Sequence, residues 1–104
     1  MIVQINTDHN IVGHERMKSY ISAELKKTLS RFEDKISRLD VHFGDENSNK
    51  KGFNDKRCLI EAHPEKRQPL AVTFHSDSIE KAFHGALEKI KKVLDTTYGK
   101  IKSR

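Results

Sequence analysis

The sequence is poor in cysteine, proline and tryptophan, and it contains no long apolar run. It has one cysteine, two prolines and no tryptophan. Cys58 alone cannot form an internal disulfide, and without a second cysteine there is no cysteine pair to hold a metal ion. No stretch approaches the roughly eighteen consecutive apolar residues of a transmembrane helix, and Met1 to Asn10 lacks the charged and apolar segments of a signal peptide. We therefore predict a soluble protein of the reducing cytoplasm, with no membrane partner.

The sequence also lacks the residue patterns that catalysis requires. It contains no glycine-rich phosphate loop, no HExxH motif and no evident nucleophile beside a base. Cys58 shares the parity of Ile60 in an alternating segment, which favours a small buried side chain over a reactive thiolate. Asp45 and Glu46 lie in a polar loop, where an acid–base pair would be poorly held. We predict that the protein is not an enzyme and has no cofactor.

Three histidines are the nearest approach to a metal site. His42, His63 and His75 lie on three predicted strands, on the parity opposite to the apolar residues. They could therefore approach one another on an exposed sheet face. Because metal-ligand spacing is missing, we interpret them as facing solvent or RNA and predict no metal site.

The chain is basic. Twenty Lys and Arg residues against fifteen Asp and Glu give a net charge of +5 and a pI near 9.4. Such a balance favours a polyanionic partner such as nucleic acid, but it also serves solubility, so it indicates a site only where the charge gathers on one surface. At 104 residues the chain is expected to form a single domain, 1–104, with one core between two layers.

Hydrophobic periodicity divides the chain into six elements. Alternating apolar residues predict four strands, at Ile2–Thr7, Leu39–Phe43, Lys56–His63 and Leu70–Phe74. A polar loop follows the second strand, and Pro64 and Pro69 bracket a turn containing Lys66 and Arg67.

Two segments repeat apolar residues every three or four positions and are predicted helices. The first runs from Glu15 to about Ile36, and the second carries an apolar face from Ile79 to Ile101. Asp77 and Glu80 have the spacing of a capping box at its start. The order β-α-β-β-β-α predicts an α+β fold, a four-stranded sheet with both helices on one face and the other face exposed.

Basic residues recur on both predicted helices. A docked helix must expose a charged face, so one lysine indicates little, whereas two basic helices side by side could follow an RNA backbone. The residues selected on charge are Lys26, Arg31 and Lys91.

The sequence resembles the ribosome hibernation promoting factor and ribosome-associated inhibitor family, also described as sigma-54 modulation proteins. The resemblance is carried by the element order, by Met17–Ile21 and Arg31–Ile36 of the first helix region, by Leu39–Val41, and by Ile79–Leu94 of the second helix. It spans nearly the whole chain.

That resemblance implies a fold like that of double-stranded-RNA-binding domains. It also implies binding to ribosomal RNA in the decoding cleft of the small subunit, which blocks messenger and transfer RNA during stress or stationary phase. On this basis further RNA-binding residues are expected at Lys18, Lys27, Lys89, Lys92 and Lys100. A short form without a C-terminal dimerisation domain is expected, monomeric when free and dependent on a second hibernation factor for ribosome dimerisation.

An alternative stays open at this point. The chain could be a protein-interaction module that modulates a sigma factor or another regulator, in which case its binding would be insensitive to salt. RNA binding, by contrast, releases counterions and weakens steeply as salt rises.

Overall fold

The computed structural model describes residues 1–7, 14–45 and 56–99. Its strands are β1 (Ile2–Thr7), β2 (Ile36–Asp45), β3 (Lys56–Pro64) and β4 (Leu70–Ser76), and its helices are α1 (His14–Thr28) and α2 (Ile79–Leu94). A 3-10 turn at Ser30–Phe32 follows α1, and a π-helical segment at Asp95–Gly99 follows α2. The predicted order β-α-β-β-β-α is confirmed.

The four strands form one mixed sheet in the order β1-β2-β3-β4. β1 is parallel to β2, and α1 makes the crossover that a parallel pair requires. The pairs β2–β3 and β3–β4 are antiparallel, with Val41 opposite Ile60 and Ile60 opposite Val72. These residues share one face of the sheet, as the alternation of the sequence predicts.

Both helices pack on that face. Leu39, Val41 and Phe43 of β2 are fully buried in one cluster with Leu25 of α1 and Phe83 of α2. Each such side chain stabilises the fold by about 1.5–3 kcal/mol relative to an exposed position. Among the described residues no polar or charged side chain is buried, so this core is held by apolar packing.

Cys58 belongs to this core, as its parity predicts. It lies opposite Phe43 in β2 and Phe74 in β4 and is completely buried. Burial raises the pKa of its thiol to about 12, and the neighbouring charge of Arg57 lowers it only in part. The thiol is therefore protonated at physiological pH.

The first predicted helix is too long. α1 ends at Thr28, and the chain then turns through 3-10 hydrogen bonds, from Phe32 N–H to the Leu29 carbonyl at 2.9 Å and from Lys35 N–H to the Phe32 carbonyl at 2.9 Å. Ile36 begins β2 instead of ending a helix. A 3-10 helix has three residues per turn and an α-helix has 3.6. Over so short a stretch both place apolar residues at the same spacing, so the periodicity could not distinguish them.

β2 also starts before the predicted Leu39. A register shift between Ile36 and Arg38 moves the strand by one residue, so that Ile36 and Leu39 both point into the core. Such a bulge breaks strict alternation, which is the signal used to find strands in a sequence.

The start of α2 differs from the predicted capping box. Ser78, not Asp77, is the N-cap, and its Oγ accepts a hydrogen bond from the Lys81 backbone N–H at 3.1 Å. Asp77 instead forms an ion pair with the Lys81 side chain at 3.4 Å. The predicted apolar face extends through the π-helical segment to buried Tyr98, while Ile101 lies outside the described residues.

None of the helices in the described ranges has the length and apolar character needed to cross a membrane.

Gly85 allows α2 to approach β4. A Cβ atom at this position would overlap the ring of Phe74, which faces the helix from the edge strand. The absence of a side chain at Gly85 therefore allows the short distance between α2 and β4.

We expect Gly85→Ala to lower the free energy of unfolding by about 1–3 kcal/mol, because the overlap with Phe74 outweighs the roughly 1 kcal/mol by which alanine favours a helix. Urea denaturation measures this. Gly99→Ala is the matched control, since a Cβ there meets no atom within 4 Å. Equal stability of the two variants would show that the Gly85 contact is not limiting.

We expect the Cys58 thiol of the native protein to react with an aromatic disulfide reagent at pH 8 at least roughly a hundredfold more slowly than in denaturant. Because the pKa of Cys58 is raised in the folded protein, the thiol of the unfolded chain ionises at a lower pH. The free energy of unfolding should therefore decline as the pH rises from the ordinary thiol value toward about 12. Rapid labelling of the native protein would contradict the buried, protonated thiol.

Candidate nucleic-acid interface

The basic residues predicted on α1 divide between two sides of the helix. Lys18 and Lys26 line a groove of about 650 Å³ together with Val3 and Ile5 of β1. Lys27 is highly exposed, and its Nζ lies 3.9 Å from the Glu24 carboxylate. The charges of Lys18 and Lys26 therefore stand beside the β1 edge with no carboxylate within 4 Å among the described residues.

Arg31 is engaged within the protein. Its guanidinium lies 3.2 Å from the Asp95 carboxylate and 4.9 Å from the centroid of the Phe32 ring. It thereby links the 3-10 turn to the π-helical segment. Both partners remain partly exposed, so the pair is in contact with solvent.

The lysines of α2 point in different directions. Lys89 reaches the opposite sheet edge, where its Nζ donates a hydrogen bond of 2.9 Å to the Thr73 carbonyl and lies 5.7 Å from the Phe74 ring centroid. Lys92 is exposed and Lys91 half-buried, neither with a carboxylate nearby in the described ranges. Lys100 lies outside the described residues, so its placement stays a prediction.

The space between the two helices is not uniformly basic. Tyr20 Oη and His84 Nε2 form a hydrogen bond of 2.8 Å across it, and the Tyr20 ring packs edge-on against Phe83. Partial desolvation, together with the negative charges of Glu24 and Glu80, raises the pKa of Tyr20. Two acidic side chains therefore lie near the contact between the helices.

The predicted lysines consequently span the whole width of the helical layer. Lys18 and Lys26 stand above β1, and Lys89 stands at β4, on the opposite edge of the sheet. Three strand spacings separate these edges by roughly 14 Å. A broad, discontinuous basic surface of this kind suits the backbone of a folded RNA better than a single narrow groove would.

The three histidines of the outer sheet face do not meet. His42 lies opposite Leu59 in the register, whereas His63 lies opposite Arg38 and His75 opposite Arg57. His42 and His63 are thus separated by about 13 Å along the strands. The approach that their parity would allow is therefore not seen, because parity fixes the face but not the position along it.

His63 instead joins an ion-pair network. Its Nε2 lies 3.1 Å from Oδ2 of Asp40 and 3.7 Å from Oε1 of Glu61. The three side chains have the donor types of a metal site, with ligand atoms within 4.8 Å of one another. Arg38, however, places its guanidinium 3.1 Å from the same Asp40 oxygen and so supplies the positive charge.

A basic cluster at one end of the molecule was not selected from the sequence. Lys35 follows the 3-10 turn, Lys66 and Arg67 lie in the β3–β4 turn, and Tyr98 lies in the π-helical segment. We call these four residues the turn cluster. The Lys66-Arg67 pair between two prolines was visible in the sequence, but its meeting with Lys35 and Tyr98 depends on the fold.

The family model described as sigma 54 modulation protein / S30EA ribosomal protein matches residues 3–102. No curated protein matches the chain by sequence.

Two solved structures are similar in fold. One is the N-terminal domain of protein Y from Thermus thermophilus, with 14% identity, 93% of this chain and 99% of that chain covered, and a TM-score of 0.73. The other is a ribosomal subunit interface protein from Coxiella burnetii, with 16% identity, complete coverage of both chains and a TM-score of 0.67.

Proposed function

The chain belongs to the sigma 54 modulation protein / S30EA ribosomal protein family, and from this premise we propose that it is a ribosome-associated inhibitor of translation. The family resemblance inferred from the sequence is thereby confirmed. So is the prediction that the protein is not an enzyme, because the family is non-enzymatic.

In this proposal the protein binds ribosomal RNA in the decoding cleft of the small subunit. By filling that cleft in the cytoplasm of a stressed or stationary cell, it prevents messenger and transfer RNA from binding. The observation that carries the proposal is the basic surface across both helices. Lys18, Lys26, Lys91 and Lys92 have no acidic partner among the described residues and are available to phosphate oxygens.

The helical face is better suited to this contact than the sheet. Domains that read RNA on a sheet stack bases on exposed aromatic rings. The phenylalanines of the described strands, Phe43 and Phe74, point toward the helices. The outer face carries the network of Arg38, Asp40 and His63, in which the charges of Arg38 and Asp40 offset one another.

A ribosomal RNA partner also accounts for the spread of separate lysines over the helical surface. Contacts between lysine and phosphate are strong at low salt because they release counterions, and they do not depend on the nucleotide sequence because every nucleotide has a phosphate. A protein that blocks a cleft needs affinity for the RNA backbone rather than recognition of bases, and a broad surface of separate lysines provides that affinity.

A second candidate function rests on a different surface. Met17, Tyr20, Ile79 and Phe83 line an apolar groove of about 450 Å³ between the N-terminal ends of the helices. Such a groove suits a protein partner, as a module that modulates a sigma factor would require. Binding through this groove would change little with salt, whereas binding through phosphates weakens steeply as the salt concentration rises.

We expect Lys26→Gln/Lys92→Gln to weaken binding to empty ribosomes and to reduce the slope of log affinity against log salt by about 1.4–1.8, the value for two lost phosphate contacts. Co-sedimentation at a series of salt concentrations measures this. Messenger and initiator transfer RNA should compete with the unaltered protein.

The matched control is Arg38→Gln/Lys81→Gln. It removes the same net charge, but from cations that already pair with Asp40 and Asp77. This control should retain nearly the full slope. Equal losses in both double variants would mean that net charge, and not the helical surface, governs binding, while salt-insensitive binding would favour the protein-interaction module.

A further inference from the structure

The turn cluster lies at the end of the sheet, apart from the helical lysines. An open cavity of about 590 Å³ forms where the 3-10 turn, the β3–β4 turn and the π-helical segment converge. Tyr98 and Phe32 form its apolar floor, with their ring centroids 5.9 Å apart. Tyr98 is nearly buried, so the floor is a fixed part of the core.

Cations surround this floor at defined positions. Lys35 Nζ lies 5.6 Å and Arg67 Cζ 5.2 Å from the Tyr98 ring centroid. The backbone N–H of Glu65 donates a hydrogen bond of 3.0 Å to the Lys35 carbonyl, which ties the β3–β4 turn to the chain before β2. Two segments distant in sequence thus hold their charges over one ring.

In the described part of the chain, none of the three cations of this cluster forms an ion pair. Asp34 and Glu65 line the same cavity, but neither forms an ion pair with Lys35, Lys66 or Arg67. Elsewhere many cations do have carboxylate partners, as in the pairs Lys27–Glu24, Arg31–Asp95, Arg38–Asp40, Lys56–Asp45 and Lys81–Asp77. The lining of the cavity, with Arg31, Lys35, Lys66 and Arg67 against Asp34 and Glu65, therefore carries an excess of positive charge.

The backbone of Lys66 gives a second, independent indication. Its φ is 64°, in the left-handed region, and no other described non-glycine residue has a positive φ. Glycine adopts this conformation without the steric cost that a side chain brings. A lysine held there places a cation at the tip of the turn, and strained residues of this kind concentrate at functional sites.

We propose that the turn cluster binds backbone phosphates of RNA, as a contact separate from the helical surface. Arg67 presents the planar guanidinium that binds phosphate oxygens in pairs, and Lys35 and Lys66 add positive charge on either side. This inference rests on the proposed function, which it extends by giving the RNA a second point of attachment at the end of the sheet.

The principal test is the variant Lys66→Gly/Arg67→Gln. Glycine relieves the left-handed backbone while both charges are lost, so the thermal midpoint should hold or rise as ribosome affinity falls. The salt slope should decrease by about 1.4–1.8. Arg67→Lys is the control, since it keeps the charge and should retain the slope while losing affinity through the missing paired hydrogen bonds.

The outcomes separate this inference from the proposed function. If the unaltered protein binds ribosomes and the variant has the same affinity and slope, the turn cluster is not an RNA contact, while the helical surface stands. If the unaltered protein does not bind ribosomes, the proposed function fails.

An assay without ribosomes decides the inference in either case. Titration of the isotope-labelled protein with a short RNA hairpin should shift the amide resonances of Lys66, Arg67 and Tyr98. The same titration of the double variant should leave Tyr98 unchanged. No shift with the hairpin, or shifts only with an acidic peptide, would overturn the inference.

Discussion

The packing of Phe83 against both layers is the contact on which the rest of the architecture depends. Its ring meets Tyr20 of α1 and Phe43 of β2 with centroids 6.3 and 6.5 Å apart, and the residue is fully buried. The helices can therefore occupy only one face of the sheet. Each charged residue of the helices must then lie on their outer surface or at their flanks, where the solvent and any RNA are found.

The sequence predicts this architecture well because two periods describe most of it. Alternation placed Cys58 and Ile60 in the core, and the spacing of Phe83 and Ile90 placed the apolar face of α2. The predictions fail where the sequence pattern fits two local structures equally well and a local hydrogen bond decides between them. The chain turns after α1 through a few backbone hydrogen bonds, and Ser78 becomes the N-cap because its side chain accepts one from the Lys81 backbone N–H.

The candidate site was less accessible to sequence reasoning, because its properties arise between residues that are distant in the chain. The basic residues could be named, but not which of them would have a partner within the protein, as Arg31 has in Asp95 and Lys89 in the Thr73 carbonyl. The turn cluster joins Lys35, Arg67 and Tyr98 across three separate segments. A net charge of +5 counts all these cations equally, whereas the fold distinguishes those with carboxylate partners from those without.

Pairing in the free protein does not permanently remove a cation from the proposed RNA interface. Arg31 and Asp95 are 48% and 39% exposed, and an ion pair so open to solvent contributes at most about 1 kcal/mol. A phosphate approaching the turn cluster would meet Arg31 on the wall of the same cavity and could compete with Asp95 for it. The fold stability depends little on that exchange, because the core contains no described charge. The apolar core and the surface cations are thus energetically separable, which allows the charges to serve binding without supporting the fold.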